Sequence, residues 1–128
     1  MIFGIGIDLV KIKRIEKAVT RWHEHFVDRV FTKKEQEYSY RQSNPYQHFA
    51  ARLAAKEAIL KAIGTGWSGG IKWTDVEIIN SEKGKPEVIA HGKVKDMIDL
   101  YGIKEIMISL SHDTEYAIAQ AVLTGEKS

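Results

Sequence analysis

The sequence predicts an α+β domain in which a mainly antiparallel sheet packs on one long helix. Three patterns carry this prediction. Residues 46–63 place larger apolar residues and alanines on two adjoining strips at helical spacing. Residues 106–110 and 116–123 alternate apolar and polar side chains on either side of a polar turn, which is typical of a hairpin. Residues 2–10 alternate in the same way and supply a further strand.

One face of the predicted strand at residues 2–10 has almost no side chains. Gly4, Gly6 and Asp8 share that face, whereas the apolar residues between them point the other way. Because glycine has no side chain, another group can come close to the backbone beside Asp8.

An amphipathic helix is predicted over residues 11–28. Its apolar stripe comprises Ile12, Ile15, Val19, Trp22 and Phe26. Arg14, Lys17 and Arg21 fall nearly opposite that stripe and form a basic face. Such a face is usually only solvated, but it would also match an acidic helical partner.

The remaining predicted elements are bounded by cap and turn signals. They are a helix begun by a capping box of Thr32 and Glu35, the end of the long helix at Gly64, paired strands at 73–80 and 87–90, and a helix at 93–101 ended by Gly102. No repeat or linker interrupts the sequence, so we expect residues 1–128 to form a single domain.

The composition excludes several classes of protein. The chain has no cysteine, which removes disulfides, zinc–thiolate sites and thiol nucleophiles. Its net charge of +2 is a weaker and less clustered excess than nucleic-acid-binding proteins usually carry. The N-terminus does not resemble a signal peptide, and no apolar run reaches the ~20 residues of a membrane helix. We therefore expect a cytoplasmic protein that binds neither nucleic acid nor membranes.

Two carboxylates form the first candidate site. Asp8 lies at the end of the first strand, and Glu57 lies at the edge of the apolar stripe of the long helix. Mg²⁺ takes oxygen ligands and usually completes its shell with water and substrate phosphate, so this pair would suit it. The alternative is structural, because Glu57 and Lys61 have the i, i+4 spacing of a surface ion pair.

Basic residues and backbone amides form the second candidate site. The set comprises Arg52, Lys56 and Lys61 with the loop residues Gly64, Thr65 and Gly66. Cationic side chains and backbone N–H groups both bind phosphate, although the spacing is not that of a Walker A loop. The alternative is a solvated helix that ends in a tight glycine cap.

The third candidate is His112, within the segment SLSHD at residues 109–113. Ser111, His112 and Asp113 do not make a catalytic triad, because adjacent residues of a strand point to opposite faces. His112 is able to donate to a phosphate or to transfer a proton, although a lone histidine is more often structural.

Five segments together resemble the motifs of the holo-acyl-carrier-protein synthase family. They are GIGIDLV at 4–10, RVFTKKE at 29–35, FAARLAAKEAILKAIGTG at 49–66, NSEKGKPEV at 80–88 and SLSHDTEYAIAQAV at 109–122. The long helix carries the most specific of them, and the resemblance runs through nearly the whole chain. Asp113 departs from the pattern, since some relatives have threonine there.

The resemblance implies a phosphoryl transfer. The serine hydroxyl of an apo acyl carrier protein attacks the β-phosphate of coenzyme A, takes the phosphopantetheine arm and releases adenosine 3′,5′-bisphosphate. Asp8 and Glu57 match the family's Mg²⁺ ligands, and Lys61 would pair with the pyrophosphate. The proton acceptor is either Glu57 or a metal-bound water.

The resemblance also implies nucleotide contacts and partners. Arg52 and His112 would hold the 3′-phosphate or its neighbours, and the loop at Gly64, Thr65 and Gly66 would lie near the nucleotide. Acyl carrier proteins are acidic and helical, so the basic face of Arg14, Lys17 and Arg21 would dock them. The short chain is similar to the group that forms homotrimers with coenzyme A between subunits. Fatty-acid and polyketide carriers, and Mg²⁺ and Mn²⁺, stay open as alternatives.

Two functions from other classes stay open beside this one. A nucleic-acid-binding module would use the basic helix, and its binding would fall steeply with salt and ignore Mg²⁺. A metal-dependent phosphohydrolase would use water in place of a protein serine, and would turn over coenzyme A without a carrier.

Overall fold

The computed structural model describes residues 1–126, so residues 127–128 of the predicted domain lie outside it. The elements in order are β1 (Ile2–Lys11), α1 (Ile12–Trp22), α2 (Glu24–Val30), α3 (Lys33–Tyr40), α4 (Pro45–Ile63), a 3₁₀ turn (Trp73–Asp75), β2 (Val76–Asn80), β3 (Pro86–Ala90), α5 (Gly92–Tyr101), β4 (Ile103–His112) and β5 (Tyr116–Gly125). No helix within residues 1–126 is long and apolar enough to cross a membrane.

The strands form two antiparallel sheets. The larger has the order β1-β5-β4, so β5 is central and β1 is an edge strand. In its register Asp8 lies opposite Ala119. The smaller sheet is the β2–β3 hairpin. The predicted α+β class, with an antiparallel sheet on a long helix, is confirmed.

Helix α4 packs closely on the inner face of the larger sheet because small residues meet there. A Cβ added to Gly4 would collide with the carbonyl of Ala62, and one added to Gly6 would collide with that of Ala58. Ala119 of β5 is fully buried in the same core. The bare face predicted from the glycines is therefore occupied by the backbone of α4.

The helix predicted over residues 11–28 is two helices. His23 separates them with a φ of 49°, in the left-handed region, where a non-glycine residue breaks the helical path. Trp22, assigned to the apolar stripe, is the last residue of α1 and is 54% exposed. Ile12, Ile15 and Val19 are buried as predicted.

Most other helix and strand boundaries agree with those predicted from the sequence. Thr32 and Glu35 form both bonds of the capping box, and Gly64 ends α4 with a φ of 93°. The strand predicted at residues 73–80 begins only at Val76. Its first residues form the 3₁₀ turn instead, because the carboxylate of Asp75 accepts the backbone N–H of Lys72 and tightens the chain there.

Candidate active site

Asp8 and Glu57 line one cavity at the edge of the larger sheet. Their meeting follows from the packing of β1 on α4, in which Gly6 lies beside Ala58. Asp8 is two residues beyond Gly6 on β1, a distance of about 6.7 Å, and four residues of a helix span about 6 Å. Asp8 therefore lies about one helical turn closer to the N-terminus of α4 than Gly6 does. The glycine row that allows α4 to pack closely on β1 therefore also determines where the two carboxylates lie relative to each other.

The cavity has a volume of about 380 Å³, and its wall combines apolar residues with charged ones. Ile15, Phe26 and Leu53 are among the apolar residues, and Arg14 is the only basic residue among the described residues that line the cavity. An apolar wall beside two carboxylates strengthens the electrostatic interactions of any charged group bound there.

Lys61 is tied to the edge strand. Its Nζ donates to Oδ1 of Asp8 and to the carbonyl oxygen of Ile7, each at 3.0 Å. A helical side chain leans toward the N-terminus of its helix, and from the last turn of α4 that direction leads to Asp8. The alternative ion pair between Glu57 and Lys61 is therefore not formed within residues 1–126, since Lys61 pairs with Asp8 instead.

The donor set fits a hard divalent cation that keeps part of its own shell. Within residues 1–126 no group of three His, Cys, Asp or Glu side chains is placed to hold a metal ion. Mg²⁺, however, is commonly held by one or two carboxylates, with water and substrate phosphate completing the shell. Lys61 engages only Oδ1 of Asp8, and Glu57 is in none of the ion pairs of the described chain. Carboxylate oxygens of both residues are thus left for a cation.

Arg52 and His112 line a second cavity, of about 300 Å³. Arg52 is only 2% exposed, and its guanidinium lies 4.2 Å from the centre of the Tyr38 ring. Its Nη2 donates to Oδ1 of Asn80, whereas its Nε has no hydrogen-bond partner within residues 1–126. Tyr38 and Asn80 were not predicted as site residues, since neither has a local sequence signal that relates it to Arg52.

The charge of Arg52 has no carboxylate bonded to it within residues 1–126. The nearby carboxylate of Glu35 is bonded to Lys56, at 2.8 Å. Burial lowers the pKa of Arg52, and the charge of Glu35 and the contact with Tyr38 only partly oppose that effect. A buried cation without a bonded counter-ion is costly, so this cavity has the character of an anion site.

Lys56 does not take part in either cavity, so its assignment to phosphate binding is wrong. It is 0% exposed, and its Nζ donates to Glu35 and to the carbonyl oxygens of Trp73 and Val76. These three bonds use all three N–H groups of an ammonium. Lys56 is adjacent to Glu57 in sequence, but its side chain is turned about 100° from that of Glu57 around the helix axis. This rotation directs Lys56 into the core.

The glycine loop is distant from Arg52 within one chain. Gly64 follows the last turn of α4, about 18 Å along the helix axis from Arg52. Thr65 and Gly66 continue away from that end, where Ser68 donates to the carbonyl oxygen of Thr65. A single chain therefore does not bring the loop and the Arg52 cavity together.

The basic face predicted on α1 begins at the carboxylate cavity. Arg14, Lys17 and Arg21 are all exposed, and Arg14 also lines the cavity. The guanidinium of Arg21 lies 5.1 Å from the centre of the exposed Trp22 ring. A partner on this face would therefore reach the carboxylates at one end.

Asp113 has a structural role in the turn between β4 and β5. Its carboxylate accepts the backbone N–H groups of Glu115 and Tyr116, each at 2.7 Å. These bonds lower the pKa of Asp113, so it is an anion that faces its own backbone. Asp113 therefore stabilises the turn at the position where the sequence departs from the family pattern.

Known proteins that resemble this chain in sequence all point to one family. The family model of the 4′-phosphopantetheinyl transferase superfamily matches residues 4–121. The holo-[acyl-carrier-protein] synthase of Geotalea daltonii is 45% identical over 96% of this chain and 98% of its own length. That of Geobacter sulfurreducens is 44% identical with the same coverage.

Solved structures agree with the sequence relatives. The holo-[acyl-carrier-protein] synthase of Neisseria meningitidis superposes with a TM-score of 0.89 at 31% identity, covering 97% of this chain and 99% of that one. The Helicobacter pylori enzyme, solved in complex with coenzyme A, superposes with a TM-score of 0.83 at 32% identity, covering 94% and 99%. The chain belongs to the 4′-phosphopantetheinyl transferase superfamily and, within it, to the holo-[acyl-carrier-protein] synthases.

Proposed function

We propose that this chain transfers the phosphopantetheine arm of coenzyme A to a serine of an apo acyl carrier protein, with Mg²⁺ held by Asp8 and Glu57. The observation that carries the proposal is the convergence of Asp8, Glu57 and Lys61 on one edge of the sheet, next to the basic face. Full-length similarity to holo-[acyl-carrier-protein] synthases, one of them solved with coenzyme A, supports the reaction class. We place the reaction in the cytoplasm, where it would supply carriers of fatty-acid biosynthesis.

The roles follow from the charges. A bound Mg²⁺ would offset negative charge on the pyrophosphate. Lys61, held at the edge by Asp8, donates to pyrophosphate oxygens from the same side. The serine oxygen bonds to the β-phosphorus, the bond from that phosphorus to the bridging oxygen breaks, and adenosine 3′,5′-bisphosphate leaves. Glu57, which lacks an ion-pair partner within residues 1–126, is our candidate acceptor for the serine proton.

The two cavities support an active site shared between subunits. Arg52 and Glu57 are five residues apart on α4, so they point about 140° away from each other around its axis. One bound coenzyme A molecule is therefore unable to contact Glu57 and Arg52 of the same chain at once without wrapping around α4. We propose a homotrimer in which one subunit supplies Asp8, Glu57 and Lys61 and its neighbour supplies Arg52 and His112.

The outer side of the larger sheet is the surface that would join the subunits. We call it the open sheet face, and it comprises Ile5, Ile7 and Leu9 of β1, Met107 of β4 and Tyr116 and Ile118 of β5, which are 38–67% exposed. Apolar patches of this kind mark interaction sites. Lys61 lines a shallow cavity with Ile5, Ile7 and Gln120, so the catalytic edge borders this face. Two further copies of the chain are the occupants we propose.

Charge on the open sheet face should prevent assembly. Ile7→Glu places a carboxylate within the proposed interface, where it would be desolvated without a partner, so the variant should be monomeric. Sedimentation velocity at fixed protein concentration measures the mass. Leu100→Glu is the matched control, because Leu100 is 79% exposed on α5, away from this face, and its variant should stay trimeric. A monomeric wild type, or a trimeric Ile7→Glu variant, would contradict the assembly.

The basic face supports the choice of substrate protein. Arg14, Lys17 and Arg21 present three positive charges that lead to the carboxylate cavity, where Arg14 lies beside the apolar residues Ile15 and Phe26. A substrate protein with an acidic helix would match both features, whereas a nucleotide phosphohydrolase would need neither of them.

Arg14→Glu should raise the KM for the carrier about 5- to 30-fold and change kcat less. The reversal replaces an attraction of about 0.5–1 kcal/mol by a repulsion of similar size, and it acts on encounter. Initial rates over a range of carrier concentrations measure both constants. Lys95→Glu, an equal reversal on exposed α5, should leave the KM unchanged. An unaltered KM for Arg14→Glu would remove the docking face.

The test of the whole proposal is intact-protein mass spectrometry. An apo acyl carrier protein is incubated with this chain, coenzyme A and Mg²⁺, with and without EDTA. We expect the carrier to gain the mass of phosphopantetheine and EDTA to abolish that gain. Release of adenosine 3′,5′-bisphosphate without any carrier would favour the phosphohydrolase instead. An undiminished gain in EDTA would refute the metal assignment alone.

A further inference from the structure

His48 lies in the cavity of Arg52 and is not used by the proposed mechanism. It precedes Arg52 by one turn of α4, and both side chains line the cavity. Its ring packs edge-on against Tyr38, with centroids 5.7 Å apart, and against His112, with centroids 5.6 Å apart. Two elements, α4 and β4, thus bring a guanidinium and two imidazoles to one cavity of about 300 Å³.

The groups that face His48 are all neutral or cationic. They are Arg52 on its own helix, Tyr38 on α3 and His112 on β4, while the β2–β3 hairpin contributes Asn80, Gly84 and Pro86. No carboxylate is among the described residues that line this cavity. Burial lowers the pKa of His48 below its usual 6.5, and the charge of Arg52 and the neighbouring imidazole of His112 lower it further.

We propose that His48 is a proton-dependent ligand of the phosphate group that enters this cavity, so that His48 takes up a proton when the 3′-phosphate of coenzyme A binds. The inference rests on the proposed function, because it takes the phosphate to be that of coenzyme A. Arg52 supplies the constant charge of the site, and His48 supplies a second charge only when the anion is present.

The physical reason is reciprocal stabilisation. A phosphate monoester carries about −1.5 to −2 charges at pH 7, which is enough to favour the imidazolium form of a ring beside it. Binding therefore raises the pKa of His48 from its low value in the free protein. The affinity gained in this way is fully present below the free-state pKa and is lost as the pH rises through the bound-state pKa. Neutral His48 in the free protein also avoids a further unpaired cation beside Arg52.

The experiment is titration calorimetry of the metal-free protein with coenzyme A at pH 6.5–8, in buffers of different ionisation enthalpy. This range lies above the second phosphate pKa of about 6, so most of the ligand's own titration is avoided. We expect wild type to take up as much as about one proton per site, and its Kd to rise with pH by at most about tenfold per unit, the limit for one linked proton. His48→Gln should lose that uptake and flatten the pH dependence.

Two matched controls separate His48 from other titrating groups. His25→Gln changes an exposed histidine on α2 and should keep the wild-type uptake. Dephospho-coenzyme A, which lacks the 3′-phosphate, should bind to wild type without the uptake that His48 provides. Exchange-protected amides in His48→Gln would verify that the variant is folded.

Each outcome bears on the inference separately from the function. Coenzyme A binding with the same proton uptake in wild type and His48→Gln would overturn the role of His48 and leave the transferase intact. Equal uptake with dephospho-coenzyme A would place the phosphate elsewhere and overturn the inference in the same way. Failure of wild type to bind coenzyme A at all would overturn both.

Discussion

Replacing Glu57 by glutamine should lower kcat/KM for carrier modification by at least about a hundredfold without unfolding the protein. Loss of a group that only supports a metal ligand typically costs 10- to 100-fold, so loss of a ligand should exceed that range. Glutamine keeps the size and polarity of the half-buried Glu57 side chain, which forms no ion pair within residues 1–126. The substitution should therefore leave the fold intact. Steady-state rates with saturating coenzyme A measure the loss.

The control for this variant is Glu37→Gln, on the exposed side of α3, which should keep the wild-type rate. A second reading comes from Mn²⁺ bound to the protein, detected by electron paramagnetic resonance. Glu57→Gln should weaken that binding, and Glu37→Gln should not. A Glu57→Gln enzyme with a near-normal rate would show that this carboxylate neither holds the cation nor accepts the proton.

The sequence predicted those parts of the site that depend on regular packing. Asp8 and Glu57, which were paired only as two carboxylates, line one cavity because a glycine row on β1 packs against an alanine row on α4. Small residues at matching spacing allow close approach, and close approach fixes the register of the two elements. His48 was also within reach of sequence reasoning, since it stands one helical turn from Arg52.

The break at His23 had no such signal. Positive φ is uncommon for any residue other than glycine, even though histidine adopts it more often than most, and the apolar spacing continues across His23 from Val19 to Phe26. The chain accepts this conformation because residues on both sides of the break enter one core, with Val27 and Val30 of α2 as deeply buried as Ile12 and Ile15 of α1. Long-range packing therefore outweighs the local preference.

Lys56 was misread for a related reason. A lysine followed by a glutamate on a helix indicates a solvated position, yet α4 is buried on nearly all sides and Lys56 is 0% exposed. Its partner Glu35 is 21 residues away and is also the capping residue of α3. Glu35 accepts the N–H groups of Thr32 and Ile78 as well, so one carboxylate joins α3, α4 and β2. No local pattern reveals a contact of this kind.

Lys56→Met should destabilise the protein by about 3–5 kcal/mol, because it leaves Glu35 charged and buried without its cation. Methionine has similar length and fills the same space, so the loss would not come from a cavity. Denaturant unfolding, at one fixed protein concentration because assembly contributes to stability, measures the change. Lys34→Met, an exposed change beside Glu35 in sequence, should stay within about 0.5 kcal/mol of wild type.

The double variant Lys56→Met with Glu35→Gln decides between charge and packing as the cause. Glutamine carries no charge, and its one carbonyl oxygen can accept only one of the two N–H groups that Glu35 now receives, that of Thr32 on Oε1 or that of Ile78 on Oε2, so the double variant should recover part of the stability that Lys56→Met loses. If the two changes instead add, the loss lies in the bonds of Lys56 to the carbonyl oxygens of Trp73 and Val76. In that case the ion pair itself contributes little, and the anchoring of α4 beside Glu57 rests on backbone contacts.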